Sequence, residues 1–80
     1  MSKVALNKTL VALAEAGDLP GLLATFAGMK EAGMAPDRHQ GHILVKGLTD
    51  AGQADAAAQV AREFQLNGVS LKPVTLALLQ

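Results

Sequence analysis

Glycines recur along this chain at a spacing that a helical repeat explains. A shift of 35 residues places Gly17 on Gly52 and Gly33 on Gly68 without a gap. Glycine adopts the left-handed conformation just past a helix end without the steric penalty of a Cβ atom. The matching glycines therefore predict helix ends at the same positions in two copies of one helical hairpin.

Apolar side chains predict where the two helices of the first copy lie. Leu6, Leu10 and Leu13 follow one another at i, i+4 and i+7, which places them on one face of a helix. Asp18 fits the N-cap of a second helix, with Pro20 in its first turn. The second helix carries a wider apolar stripe, formed by Leu19, Leu22, Leu23, Phe26 and Met29. Gly33 and Pro36 should end it.

The second copy keeps this pattern with smaller side chains, and a third copy begins after it. Leu10 falls on Val45 and Leu22 on Ala57, whereas Met29 falls on Phe64. Val74 and Leu76 repeat Val4 and Leu6, so a further helix is expected over Val74 to Gln80. The sequence thus predicts one all-α domain over residues 1–80, a short α-solenoid of five helices in antiparallel hairpins. Its repeats span residues 3–37, 38–72 and, in part, 73–80.

The period and several motifs resemble the pentatricopeptide repeat family. The shared features are an Ala16-Gly17 turn, a Phe26 and Met29 pair one turn apart, and an ending Met-Lys-Glu-Ala-Gly-Met-Ala-Pro-Asp over residues 29–37. The resemblance covers almost the whole chain, although Ser-Leu-Lys replaces Ala-Pro-Asp at the end of the second copy. Tetratricopeptide repeats have a period of 34 and a Trp and Tyr signature that this chain lacks.

This resemblance implies a right-handed superhelical stack and a way of reading single-stranded RNA. In the family, each repeat recognises one base through a residue early in its first helix and through its last residue. Carried over by position, these are Asn7 and Asp37, a pair associated with uracil, with Val4 stacking on the base. The second copy has His42 and Lys72 there, with His39 in place of Val4, which departs from the family pattern. The partial third copy has Ala77 at the first reading position, where alanine cannot hydrogen-bond a base edge.

A structural role is the alternative for the same side chains. Asn7 can cap or solvate a helix start, and Asp37 can cap the next helix, since both residue types favour N-caps. One competent repeat also reads only one base, which contributes on the order of 1–3 kcal/mol. Such a chain is not expected to hold RNA tightly without help from other chains.

Composition and charge argue against several classes of function. Seven basic and seven acidic residues give no net charge, whereas nucleic-acid binders usually carry a basic stripe. The chain has no cysteine, and His39 with His42 lacks an evident third metal ligand. It also lacks a Gly-rich phosphate loop and a nucleophile beside a base. We therefore expect no catalysis, no metal, no cofactor and no small-molecule substrate.

The end of the predicted stack indicates a protein partner. Leu76, Leu78 and Leu79 lie on a last helix for which the sequence provides no covering hairpin. The expected function is therefore a non-catalytic structural or adaptor subunit bound to other proteins. A chain that binds single-stranded RNA is the alternative. No segment is apolar enough to span a membrane, and no targeting peptide is visible. The resemblance implies a mitochondrion or plastid.

Overall fold

The structure, a computed structural model, describes residues 3–34 and 37–79, and this part of the chain is all-α. Its five helices are α1 (Lys3–Ala16), α2 (Leu19–Glu31), α3 (Arg38–Asp50), α4 (Ala54–Leu66) and α5 (Pro73–Ala77). The predicted fold class and helix count are confirmed. Two predictions fall partly outside the described residues: the helix stop at Pro36 and the extension of the last helix to Gln80.

The glycines predicted to end helices, and the aspartate predicted to begin α2, do so in the structure. Gly17, Gly33, Gly52 and Gly68 have φ angles of 71°, 72°, 77° and 81°. All four therefore lie in the left-handed region, where a Cβ atom would be strained. The Asp18 side chain accepts a hydrogen bond from the backbone N–H of Gly21 at the start of α2, as an N-cap does. The 35-residue period thus repeats in the backbone as well as in the sequence.

The helices form two layers that share one core. The molecule measures 33 × 29 × 17 Å, and its shortest dimension fits two packed helices. One layer contains the first helices of the repeats, with α3 between α1 and α5, and the other contains α2 and α4. Because α3 contacts all four other helices, its apolar side chains are the most completely buried. The fully buried members are Leu44, Val45 and Leu48.

Aromatic packing joins the two second helices. The rings of Phe26 in α2 and Phe64 in α4 stack with centroids 5.2 Å apart and planes 18° from parallel. Lys30 lies 4.7 Å from the centre of the Phe26 ring, and its Nζ is 2.7 Å from Oε1 of Glu63. These contacts cross from one repeat to the next, so they hold the two hairpins together.

Small residues let the helices approach closely. A Cβ atom built on Gly47 of α3 would lie 3.0 Å from Cβ of Ala14 and 3.1 Å from Cδ2 of Leu22. Ala57 and Ala61 of α4 are also buried, and the side chain of each is a single methyl group. Gly47 therefore lets α3 approach both α1 and α2 closely.

The last helix is shorter than predicted. It ends at Ala77, and Leu78 and Leu79 form a turn instead of a further helical segment. Their backbone N–H groups donate to carbonyls three residues earlier, as in a tightened helix end. The third copy therefore contributes one and a half turns of helix to the described fold.

Candidate functional site

Asn7 lies in the middle of α1 and is tied to the next repeat by a buried amide. Nε2 of Gln40 donates a hydrogen bond of 3.0 Å to Oδ1 of Asn7. Gln40 is 1% exposed, so this bond satisfies a polar group that water does not reach. Asn7 thus neither caps a helix nor points only to solvent, because its carbonyl oxygen serves the core of the next repeat.

The same glutamine fixes Asp37 at the start of α3. Oδ1 of Asp37 accepts from the backbone N–H of Gln40 at 2.8 Å, and Oε1 of Gln40 accepts from the backbone N–H of Asp37 at 3.2 Å. This reciprocal pair is a capping box. The structure thus brings Asn7 and Asp37 together through Gln40, and the predicted capping role of Asp37 is confirmed.

An equivalent contact occurs one repeat later. His42 and Thr75 stand 35 residues after Asn7 and Gln40, and Nδ1 of His42 is hydrogen-bonded to Oγ1 of Thr75 at 2.8 Å. Thr75 is fully buried. In both copies, the early residue of one first helix therefore reaches a buried polar side chain of the next first helix. We call these two contacts the inter-repeat polar pairs: Asn7 with Gln40, and His42 with Thr75.

The surroundings of His42 favour its neutral form. Partial burial lowers the pKa of His42 below its ordinary value, and the positive charges of Lys72, Lys46 and His39 lower it further. At neutral pH the ring is therefore uncharged, with one nitrogen donating and one accepting. A neutral imidazole gives no ionic attraction to a phosphate, and it pairs with the Thr75 hydroxyl.

The remaining sequence-predicted residues lie around these pairs. Val4 is 65% exposed on the first turns of α1. Lys72 is the N-cap residue of α5, at the position equivalent to Asp37, and its side chain makes no capping hydrogen bond. His39, in the place of Val4, is exposed on α3. The structure thus puts the early-helix positions on one face, while Asp37 and Lys72 lie at helix starts.

An open groove runs between α1 and α3 on this face. Its volume near the middle of α3 is about 310 Å³, and it continues towards the start of α1. Val11, Glu15 and His39 line both parts. We call it the α1/α3 groove. Its lining residues are Val4, Asn7, Lys8, Val11, Ala12, Ala14 and Glu15 of α1, with His39, His42, Ile43, Lys46, Gly47 and Asp50 of α3.

The two walls of the groove are the same repeat positions taken from successive copies. Val4 faces the groove where His39 does in the next copy, Val11 where Lys46 does, and Glu15 where Asp50 does. Lys46 Nζ lies 2.6 Å from Oδ2 of Asp50, so those two charges are paired. The described residues contain no ion-pair partner for Lys8 or Glu15.

The predicted protein interface at the chain's last helix is only partly exposed. Leu76 is 39% exposed, while Leu78 and Leu79 are half-buried and pack against the core. The equivalent of Leu76 in the first copy, Leu6, is only 4% exposed. Leu76 is therefore the uncovered member of the three, at a position that the first repeat buries.

Two negative findings concern metals and membranes in the described residues. Within residues 3–34 and 37–79, no three His, Asp or Glu side chains come together as metal ligands would. No helix in the same ranges is long and apolar enough to cross a membrane. The surface features that the described residues offer to a partner are the α1/α3 groove and the partly exposed Leu76.

Sequence reasoning missed Gln40 and Thr75, the buried halves of the polar pairs. Gln40 precedes Leu44 and Leu48 at i, i+4 and i+8, so it stands on the buried stripe of α3. A polar residue on such a stripe, with Thr75 at the equivalent place one period later, is the signal that could have found them. No protein-family model matches the chain, and no curated protein matches it.

Proposed function

We propose that this chain is a non-catalytic helical-repeat adaptor of the pentatricopeptide type that binds other proteins within a larger assembly. The observation that carries the proposal is the use of the predicted base-reading side chains inside the protein. Asn7 is bonded to Gln40 and His42 to Thr75, so both early-helix positions contribute to the joint between repeats. A side chain that a buried partner needs is costly to redirect towards a base.

Charge supports a protein partner over a polyanion. The groove face carries Lys8 and Lys46 against Glu15 and Asp50, which gives a formal sum of zero. Binding to a phosphate backbone gains affinity when basic side chains neutralise phosphates and release their counterions, and here the two lysines are balanced in number by two carboxylates. Val4 and Val11 on the same face are exposed and apolar, as in a surface that binds protein.

Single-stranded RNA binding is the second candidate, and one observation favours it. Val4, Asn7 and His42 line one continuous groove face, as residues that meet successive bases would. In this alternative, Asn7 and Asp37 contact one uracil, and other chains supply most of the affinity. By family resemblance, either function would operate in a mitochondrion or a plastid.

The size of the native complex before and after ribonuclease treatment separates the two. The chain should be recovered from its source with a mild affinity tag, and the particle mass measured with and without nuclease. For the adaptor, we expect a large particle whose mass still includes partner proteins after digestion. Release of the chain as a free protein when RNA is digested would contradict the adaptor function and leave RNA as the bridging contact.

A further inference from the structure

We propose that the α1/α3 groove is the docking site for one amphipathic α-helix of a partner protein. This inference rests on the proposed adaptor function and names the surface that performs it. The groove is uncovered in the described part of the chain, whereas α2 packs against α1 and α3. Leu22 of α2 shows that packing, because its Cδ2 lies 3.1 Å from a Cβ atom built on Gly47.

The lining of the groove suits the apolar stripe of a helix. Val4, Lys8, Val11 and Glu15 follow at i, i+4, i+7 and i+11, so they form one row along α1. Val4 is 65% exposed and Val11 37%, and Ile43 with Ala14 forms the apolar floor between the rows. An occupant with leucine-sized side chains one turn apart would cover this row along about 16 Å of helix.

Backbone hydrogen bonding selects a helix over an extended segment. An extended peptide needs partners for its N–H and C=O groups, which docked strands obtain from a sheet edge. The groove lies between two helices and offers no sheet edge, and two of its polar side chains, Asn7 and His42, each already use one atom in a bond to Gln40 or Thr75. A helix satisfies its own backbone groups, so it can bury its apolar face here without leaving them unpaired.

Two charges of α1 that have no ion-pair partner in the described part of the chain define the charge pattern of the partner. Lys8 and Glu15 are seven residues apart, which is about two helical turns, or roughly 10 Å. Asp50 lines the groove together with Glu15, so that end is the more acidic one. The partner helix should therefore carry a basic residue opposite Glu15 and an acidic residue about two turns away, opposite Lys8.

A selection from a displayed library of helical peptides tests the groove. The full chain serves as bait, and the enriched peptides are then titrated against Val11→Asp, which places a carboxylate on the apolar row. We expect enriched peptides to show apolar residues at i, i+3, i+4 and i+7 with an acid and a base about seven residues apart, and to bind Val11→Asp at least tenfold more weakly. Leu23→Asp is the matched control, because Leu23 is 39% exposed but lies on α2, outside the groove.

Charge reversal adds a readout that a folding defect cannot imitate. Glu15→Lys should weaken the selected peptide several-fold, and changing the peptide's basic residue to Glu should restore binding to that variant. Circular dichroism must show that each variant remains helical. The inference is overturned if no helical peptide is enriched, if Val11→Asp binds as tightly as the unmodified chain, or if the reversed pair gives no rescue.

The adaptor function and this surface can fail separately. Val11→Asp should be carried through the native-complex measurement with the unmodified chain. If the unmodified chain enters the nuclease-resistant particle and Val11→Asp does not, the groove is supported as the docking site. If the variant stays in the particle, the adaptor function stands and the groove is not the docking site. If even the unmodified chain is freed by nuclease, the adaptor function itself has failed.

Discussion

Phe64→Ala should be the most destabilising single substitution considered for this protein, with an expected loss of about 3–5 kcal/mol. Phe64 is fully buried, stacks on Phe26, and lies against the backbone of α3 at Gly41. Truncation removes a large apolar surface and leaves a cavity between both hairpins. At roughly 0.05–0.15 kcal/mol per residue, a domain of 80 residues has only about 4–12 kcal/mol in total. We therefore expect the variant to lose a large fraction of the stability of the domain.

Urea unfolding followed by circular dichroism measures this loss. Leu66→Ala is the matched control, since Leu66 lies two residues later on the same helix and is 81% exposed. It should change the free energy of unfolding by less than about 0.5 kcal/mol. A loss below about 1 kcal/mol for Phe64→Ala would mean that the aromatic stack does not hold the hairpins together.

Gly47→Val should also destabilise the protein, through overpacking. Its Cβ would lie 3.0 Å from Cβ of Ala14 and 3.1 Å from Cδ2 of Leu22, so these neighbours in α1 and α2 would have to move to admit a valine. Inserting atoms into a packed interface typically costs about 1–3 kcal/mol. The small gain in helix propensity over glycine, a few tenths of a kcal/mol, does not offset this.

Thermal or urea unfolding with a second glycine variant separates packing from propensity. Gly28 lies in α2, and a Cβ atom built there meets nothing within 4 Å. Gly28→Val should therefore leave the free energy of unfolding within about 0.5 kcal/mol of the unmodified chain. If both variants lost the same stability, the close approach at Gly47 would not be the cause.

The helical framework could be predicted because it depends on local signals. Glycines at Gly17 and Gly52, the Asp18 cap and the apolar stripe of α1 each act within one or two turns of helix. The last helix was predicted too long. Leu78 and Leu79 continue an apolar run that resembles a helix, but the structure tightens it into a turn.

The candidate site was harder to predict because its chemistry is settled by tertiary contacts. Family resemblance selected Asn7 and Asp37 by position, and sequence alone left a capping role open. That role holds for Asp37, whereas the partner of Asn7 lies 33 residues away in the next repeat. The α1/α3 groove likewise appears only when two helices of different repeats are placed side by side.

The claim at the centre of this account is that Asn7 joins repeats instead of reading a base. A double-mutant cycle of Asn7→Ala and Gln40→Ala in urea unfolding, together with titration of each variant by a uridine oligonucleotide, tests it most directly. Asn7→Ala leaves a buried amide unpaired, so we expect a loss of about 1–3 kcal/mol, a coupling of at least about 0.5 kcal/mol with Gln40→Ala, and unchanged RNA affinity. Additive losses within about 0.3 kcal/mol, with RNA affinity lost in Asn7→Ala, would contradict it.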